Sequence, residues 1–215
     1  MMKNTELVLV HPRRFLPESW REVKRSAIQL HHSQLNSFIP NPPEFIPRHQ
    51  AETDPEYKQW IPYLITVHTG RIGVYSRSGS EQRLHGCLSL GLGGHVNPCD
   101  QTAPTDWPQT ILNGALREIS EELPGPAPAF HSLGVINEEE TPVGHTHIGM
   151  VFVAILPQTH PLRPSRELAN LQWLSFHRIH RYMEAHRFEI WSTLAWQLLV
   201  QQPELVRQIT GVSDP

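Results

Sequence analysis

The sequence predicts an α+β fold in which one mixed β-sheet carries helices on its faces. Three observations predict it. Runs rich in β-branched and aromatic residues recur at 61–68, 71–76 and 147–156, with a shorter one at 7–10. Two other segments, 109–123 and 188–200, carry apolar residues at helical spacing instead. Strands precede, separate and follow the first of these helices, an order that suits a shared sheet with helices packed against it.

Taken in order, 7–10 reads as a short strand. Pro17-Glu18-Ser19 opens a helix that continues to Leu30, with Ser19 as its N-cap. Pro40, Pro42, Pro43, Pro47 and Pro55 make 37–55 a loop. These pieces form an N-terminal extension over 1–55, packed on a main domain over 56–215. In the main domain, 61–68 and 71–76 form a hairpin about Thr69-Gly70. An extended segment over 83–92 leaves through the glycine-rich run Gly91-Leu92-Gly93-Gly94-His95, and Pro98, Pro104 and Pro108 mark 96–108 as loop. The helix over 109–123 stops at Pro124-Gly125-Pro126. Strands at 133–137 and 147–156 flank an acidic loop, and 171–175 is another short strand. The C-terminal helix over 188–200 places Trp191, Leu194, Ala195, Leu198 and Leu199 on one apolar face.

Composition excludes several classes of function. The 215 residues, 39% of them hydrophobic, suit one domain with extensions. Eighteen basic and 21 acidic side chains leave a formal charge of -3, so there is no basic field for a nucleic-acid polymer and no polybasic stretch for a membrane surface. The apolar run over 148–156 is far below the ~18 residues of a membrane span. The first ten residues hold too short an apolar run for a secretory signal. Cys87 and Cys99 make neither a disulfide framework nor a CxxC pair. The expectation is a cytoplasmic protein acting on a small molecule, with homodimer formation left open.

The chemistry is concentrated in the 109–123 helix. At about 100° per residue, Ile111, Leu112, Ala115, Leu116, Ile119 and Leu123 span an arc of roughly 140°. Glu118, Glu121 and Glu122 span a neighbouring arc of roughly 100°. Carboxylates at i, i+3 and i+4 repel one another, and the C-terminal end of the helix dipole adds to the cost. A divalent cation would reverse that balance, because Mg²⁺ and Mn²⁺ prefer hard oxygen ligands. Taken alone, the pattern reads equally as a solvated acidic face with Arg117 paired to Glu121.

Gly94 followed by Arg117-Glu118-Ile119-Ser120-Glu121-Glu122 resembles the Nudix box, G-x5-E-x7-R-E-U-x-E-E-x-G-U, where U is a bulky aliphatic residue. With Gly91 to Asn97 and His147-Ile148-Gly149, the chain looks like a MutT-related phosphoesterase branch of the Nudix hydrolases, over most of 45–200. The resemblance implies an α/β/α sandwich and a Mg²⁺-dependent cleavage of the phosphoanhydride bond in a nucleoside diphosphate linked to another moiety, with Mn²⁺ as a substitute ion. It makes Glu118, Glu121 and Glu122 metal ligands, with Arg117 orienting a glutamate. Gly93 and Gly94 would bring backbone close to metal and phosphate. Three departures stand out. From Gly94 to Arg117 is 117 − 94 = 23 steps against the 14 of the box, an insertion of nine. Gln109 stands where the box has a glutamate eight residues before the arginine, which leaves Glu121 or Asp106 to serve as the arginine's partner. The closing glycine, Gly125, comes one step late.

Other candidates follow from residue type. In Glu138-Glu139-Glu140, Glu140 and Glu139 are favoured as a catalytic base or added ligand, with Glu140 preferred. His145 and His147 sit at alternate positions and would face one side of a strand. His147, like His95, is a candidate substrate contact. Arg48, Arg77 and Arg83 offer guanidinium forks for phosphate, while Trp60, Tyr63 and Trp107 could stack on a base. The missing box glutamate and the insertion also motivate a catalytically silent module that senses a nucleotide or binds a protein. A diphosphate isomerase and a zinc hydrolase built on His145 and His147 fit the residues less well.

Overall fold

The computed structural model describes residues 6–77 and 86–211. Its strands are β1 (Leu7–Pro12), β2 (Arg25–Gln29), β3 (Glu44–Pro47), β4 (Tyr57–His68), β5 (Arg71–Arg77), β6 (Leu88–Ser89), β7 (Gly91–Leu92), β8 (Ala129–Glu138), β9 (His147–Leu156) and β10 (Leu168–Ser175). Its helices are α1 (Glu18–Arg21), α2 (Leu35–Phe38), α3 (Arg48–Ala51), α4 (Trp107–Glu122), α5 (Pro142–Thr146), α6 (Phe176–Ala185), α7 (Ile190–Val200) and α8 (Pro203–Thr210).

The strands form one ten-stranded sheet with the path β10-β5-β4-β9-β8-β2, and β1, β3, β6 and β7 attach beside it. The expected mixed sheet is present. β4 and β9 run parallel from the Gln59–His147 pair to the His68–Leu156 pair, whereas β8 pairs antiparallel with both β9 and β2. A parallel pair needs a long crossover, and α4 lies within the one between β4 and β9. Between β4 and β5, Thr69 and Gly70 both take positive φ (47° and 74°), the conformation that lets a two-residue turn follow the twist of its strands.

Alternation along the central strands divides the core into two layers. Ile148, Met150, Phe152 and Ala154 of β9 pack with Trp60 and Leu64 of β4 against Ile111, Ala115 and Ile119 of α4. On the opposite face Val151 and Val153 join Tyr63, Ile65 and Val67 beneath Leu194, Ala195, Leu198 and Leu199 of α7. Each buried aliphatic side chain contributes about 1.5–3 kcal/mol. The sandwich therefore holds α4 firmly, and with it whatever its polar edge carries.

Several expectations need correction. The helix over 17–30 is only the single turn α1, with Pro17 and not Ser19 at its N-cap; 25–29 is a strand that pairs with β8. Pairing along the β8 edge satisfies a row of backbone groups that a helix there would leave open. The 37–55 loop contains β3, paired with β1, and α3. Pro47 closes β3, where no ladder donor is needed. His145 lies in α5 and not on a strand, so it does not share a strand face with His147. Leu116 is 39% exposed, outside the buried stripe of α4. α6 and α8 were not expected. Among the described residues, no helix is long and apolar enough to cross a membrane.

Candidate active site

The Asp106 carboxylate accepts the Gln109 N–H (3.2 Å) and caps α4, and Pro108 occupies the first turn, where its missing donor costs nothing. With its apolar side packed on the sheet, the helix turns Glu118, Glu121 and Glu122 into a cavity of about 820 Å³. Gly93, Gly94, His95, Arg48, Arg117 and His147 also line this cavity. The residues singled out in the glycine run and the glutamate helix thus meet at one place.

Arg117 is held from the insertion. Its Nε and Nη2 donate to the two oxygens of Asp100 at 2.9 and 3.0 Å, in a bidentate pair whose carboxylate is almost fully buried. Nη2 also donates to the His95 carbonyl (2.6 Å), and Nη1 to Glu118 (2.6 Å). Despite partial burial, Asp100 and Glu118 raise the guanidinium pKa above its ordinary value. Neither partner suggested by the sequence fills this role: Glu121 reaches Nη1 only at 3.5 Å, and Asp106 is occupied as the cap. Gln109 instead donates to Asn113 (3.0 Å), whose amide donates to the Asp100 carbonyl (2.8 Å). Gly114 lets the loop close in, since a Cβ there would lie 3.3 Å from the Asp100 carboxylate and 3.2 Å from Val96. A glycine inside a helix costs about 1 kcal/mol relative to alanine, and here it makes room for Asp100.

Glu118 packs on the Gly94 backbone so closely that a Cβ on Gly94 would lie 2.5 Å from both carboxylate oxygens. Burial pushes its pKa up to about 7 against the pull of Arg117, and Glu121 and Glu122 add to the rise. Glu122 is also raised, first by burial, while Ser165 donates to its carboxylate. Glu121 is more exposed. Among the described residues, no three His, Cys, Asp or Glu side chains are drawn into a closed metal cluster. An open arrangement suits Mg²⁺, which takes one or two carboxylates and keeps several waters. A carboxylate buried beside two others, cradled by a glycine backbone, is a donor set that a hard divalent cation fits.

The three consecutive acids of the 138–140 run diverge. Glu138 lines the cavity wall and is 1% exposed, accepting from the backbone N–H groups of Glu140 (2.8 Å) and Thr141 (3.0 Å) and from the Thr141 hydroxyl. Glu139 pairs with Arg13 and with the buried Lys58, both at 2.8 Å, and these partners hold its pKa down despite burial. Glu140 pairs with Arg25 and is not among the cavity-lining residues. The preferred candidate of the three therefore faces away from the place where the α4 glutamates meet. A buried strand end projects Glu138 toward the cavity, while Glu139 turns to Lys58 and Arg13 and Glu140 to Arg25.

His95 is kept neutral, with its pKa lowered to about 3 by burial, Arg48 and His147. Its Nε2 is buried and has no hydrogen-bond partner among the described residues. Arg48 lies between Glu6 (3.0 Å) and Glu52 (2.7 Å), which hold its charge in spite of burial. The His147 Nδ1 bonds the Val143 carbonyl (2.8 Å). Arg83 and the Arg77 side chain lie outside the described residues. Trp60 and Trp107 are in the α4-side core against His11, and of the three aromatics only Tyr63 lines the cavity. The Tyr63 hydroxyl donates to Glu189 (2.8 Å) and shares hydrogen bonds with Ser89 (3.2 Å) and Ser192 (2.9 Å). Sequence reasoning missed Asp100 and this network, and within Glu138-Glu139-Glu140 it favoured the two acids that do not line the cavity. For Asp100 the local signal was the Asn97-Pro98 turn just before it.

No protein-family model matches the sequence. Among curated proteins, the chain is similar to Protein YmaB of Bacillus subtilis (strain 168), 32% identical over 158 residues that cover 71% of this chain and 76% of YmaB. Among solved structures, Tm1382, a protein assigned to the Nudix hydrolases, matches with a TM-score of 0.74 at 24% identity, covering 91% of this chain and 99% of its own. A NUDIX hydrolase from Alicyclobacillus acidocaldarius gives 0.53 at 12% identity, over 72% and 92% of the two chains. The NUDIX domain of NrtR from Shewanella oneidensis, solved with ADP ribose, gives 0.51 at 9%, over 68% and 88%. The mixed sheet between helical layers is thus the Nudix fold. The chain belongs to the Nudix hydrolase family.

Proposed function

We propose that this protein hydrolyses a phosphoanhydride bond in a nucleoside diphosphate linked to another moiety, using Mg²⁺ or Mn²⁺. One observation carries the reading: Glu118, Glu121 and Glu122 of a rigidly packed helix meet the Gly93-Gly94 backbone in one cavity. Those three glutamates, with the Gly93 backbone, would hold the cation. Bound there, it would neutralise the diphosphate and acidify a water. Arg117, clamped by Asp100, fixes the direction of the Glu118 carboxylate. Glu138, which lines the same cavity and is anchored by backbone N–H groups and the Thr141 hydroxyl, would take a proton from an attacking water. Asp100 supplies the counter-ion that the box glutamate provides elsewhere, which removes the main motive for reading the chain as a catalytically silent module.

The test is phosphate or nucleotide release from a panel of ADP-ribose, dinucleoside polyphosphates, NADH, nucleotide sugars and oxidised deoxynucleoside triphosphates, with and without Mg²⁺. Glu122→Gln should lose most turnover while staying folded. Glu138→Gln should lower kcat by about 10²–10⁴-fold, and Glu140→Gln should leave it near wild type. Mg²⁺-independent release, or wild-type turnover by Glu122→Gln, would sink the reading.

A further inference from the structure

The segment over 157–167, between β9 and β10, is fastened to the C-terminal end of α4. The Ser165 N–H donates to the Glu122 carbonyl (2.8 Å), one of the last carbonyls that the helix itself leaves unpaired. Closer to β9, His160 is 6% exposed and packs on Gly125, where a Cβ would lie 2.3 Å from the ring Nε2. Gly125, which comes one step late for the box, is thus the glycine that gives His160 its room.

This strap is held in shape by its own bonds. The His160 N–H donates to the Pro157 carbonyl (2.9 Å), and the Leu162 N–H donates to His160 Nδ1 (3.2 Å). Leu162 takes a positive φ of 49°, which a leucine adopts only where its surroundings enforce it, and its side chain packs against the α4-side core. Pro161 and Pro164 fix φ on either side of this turn, the second directly before Ser165. The Glu167 N–H donates to the Ser165 hydroxyl oxygen (3.0 Å). The single hydroxyl proton is therefore left for the Glu122 carboxylate, to which it donates.

We propose that Ser165 is a positioning residue of the cation site, whose hydroxyl holds one oxygen of the Glu122 carboxylate and so fixes how that glutamate meets a divalent cation. The proposal rests on the metal reading above. A glutamate ordinarily gives up rotamer freedom when it takes a cation; here a rigid strap removes that freedom during folding, before any ion arrives. The three helix glutamates are then held in different ways. Glu118 is directed by Arg117 from within the box (2.6 Å), and Glu121 is 57% exposed with only a long contact (3.5 Å). Glu122 is directed from 43 residues further along the chain, outside any motif read on the helix.

The test is Mn²⁺ binding to the substrate-free protein, followed by the electron paramagnetic resonance signal of the free ion. Ser165→Ala keeps the main-chain bond to Glu122 and loses the hydroxyl, and should weaken Mn²⁺ about 10- to 100-fold. Ser165→Thr restores a hydroxyl and should recover most of that loss. Ser165→Cys, nearly isosteric but only a weak donor, should also weaken the ion, a comparison that does not need the alanine variant to fold. Glu122→Asp keeps the charge but draws the carboxylate back from the hydroxyl, so adding Ser165→Ala to it should cost no further affinity. Wild-type Mn²⁺ affinity in both Ser165→Ala and Ser165→Cys, or an equal loss from Ser165→Ala in the Glu122→Asp background, overturns the assignment, and the metal reading stands as long as Glu122→Gln loses the ion. Mn²⁺ affinity that Glu122→Gln leaves unchanged overturns both.

Discussion

Replacing Asp100 by asparagine tests whether the insertion supplies a working part of the site. The Asp100 carboxylate accepts from Arg117 Nε (2.9 Å), Arg117 Nη2 (3.0 Å) and the Asn97 N–H (2.8 Å). At about 3.5 Å between charge centres and an effective dielectric near 20, the gross attraction is about 5 kcal/mol. Removing one partner of a buried pair costs about 3–5 kcal/mol. Arg117 keeps Glu118 and the His95 carbonyl and is 23% exposed, so the expected loss is the smaller figure of about 2–4 kcal/mol. In urea unfolding, a cycle of Asp100→Asn, Arg117→Gln and the double variant should give a coupling energy of about 1.5–3 kcal/mol. Turnover should fall with it, because the same guanidinium directs Glu118. A coupling energy within ~0.5 kcal/mol of zero would refute the argument and make the insertion a passive loop.

Two further outcomes follow from the geometry. Gly94→Ala places a methyl against the Glu118 carboxylate, whose flexible end can move aside. Urea stability should then change by less than about 1 kcal/mol while kcat falls, and an unchanged kcat would show that this close approach is idle. His11 is fully buried; its Nδ1 accepts the Trp60 indole N–H (2.6 Å) and its Nε2 donates to the Asn41 carbonyl (2.8 Å), so the ring is neutral. Burial lowers its pKa from 6.5 to about 4. A depressed native pKa means the unfolded chain binds the proton first, so this contribution is complete above pH 6.5 and is lost as pH falls through 4. The loss is about 3 kcal/mol, read as a drop in urea midpoint across that window, and His11→Asn should remove this component of the slope.

What could be read in advance was local. The glutamate helix, the Thr69-Gly70 hairpin and the apolar face of α7 are written in spacings of two to eight residues, and all three are present. β2 could not be read this way, because 25–29 becomes a strand only by pairing with β8 more than a hundred residues later. The same distinction explains the site. Gln109 looked like a lost partner for Arg117, because a box read along one helix seeks its counter-ion on that helix. The nine inserted residues bring Asp100 to the arginine from outside the helix, and Gly114 leaves the room it needs. Gln109, relieved of that task, bonds through Asn113 to the backbone of Asp100 itself. The substitution and the insertion, which look like two separate defects in a linear motif, are therefore two halves of one arrangement. Reversing Gln109 alone should restore nothing while Asp100 holds the guanidinium.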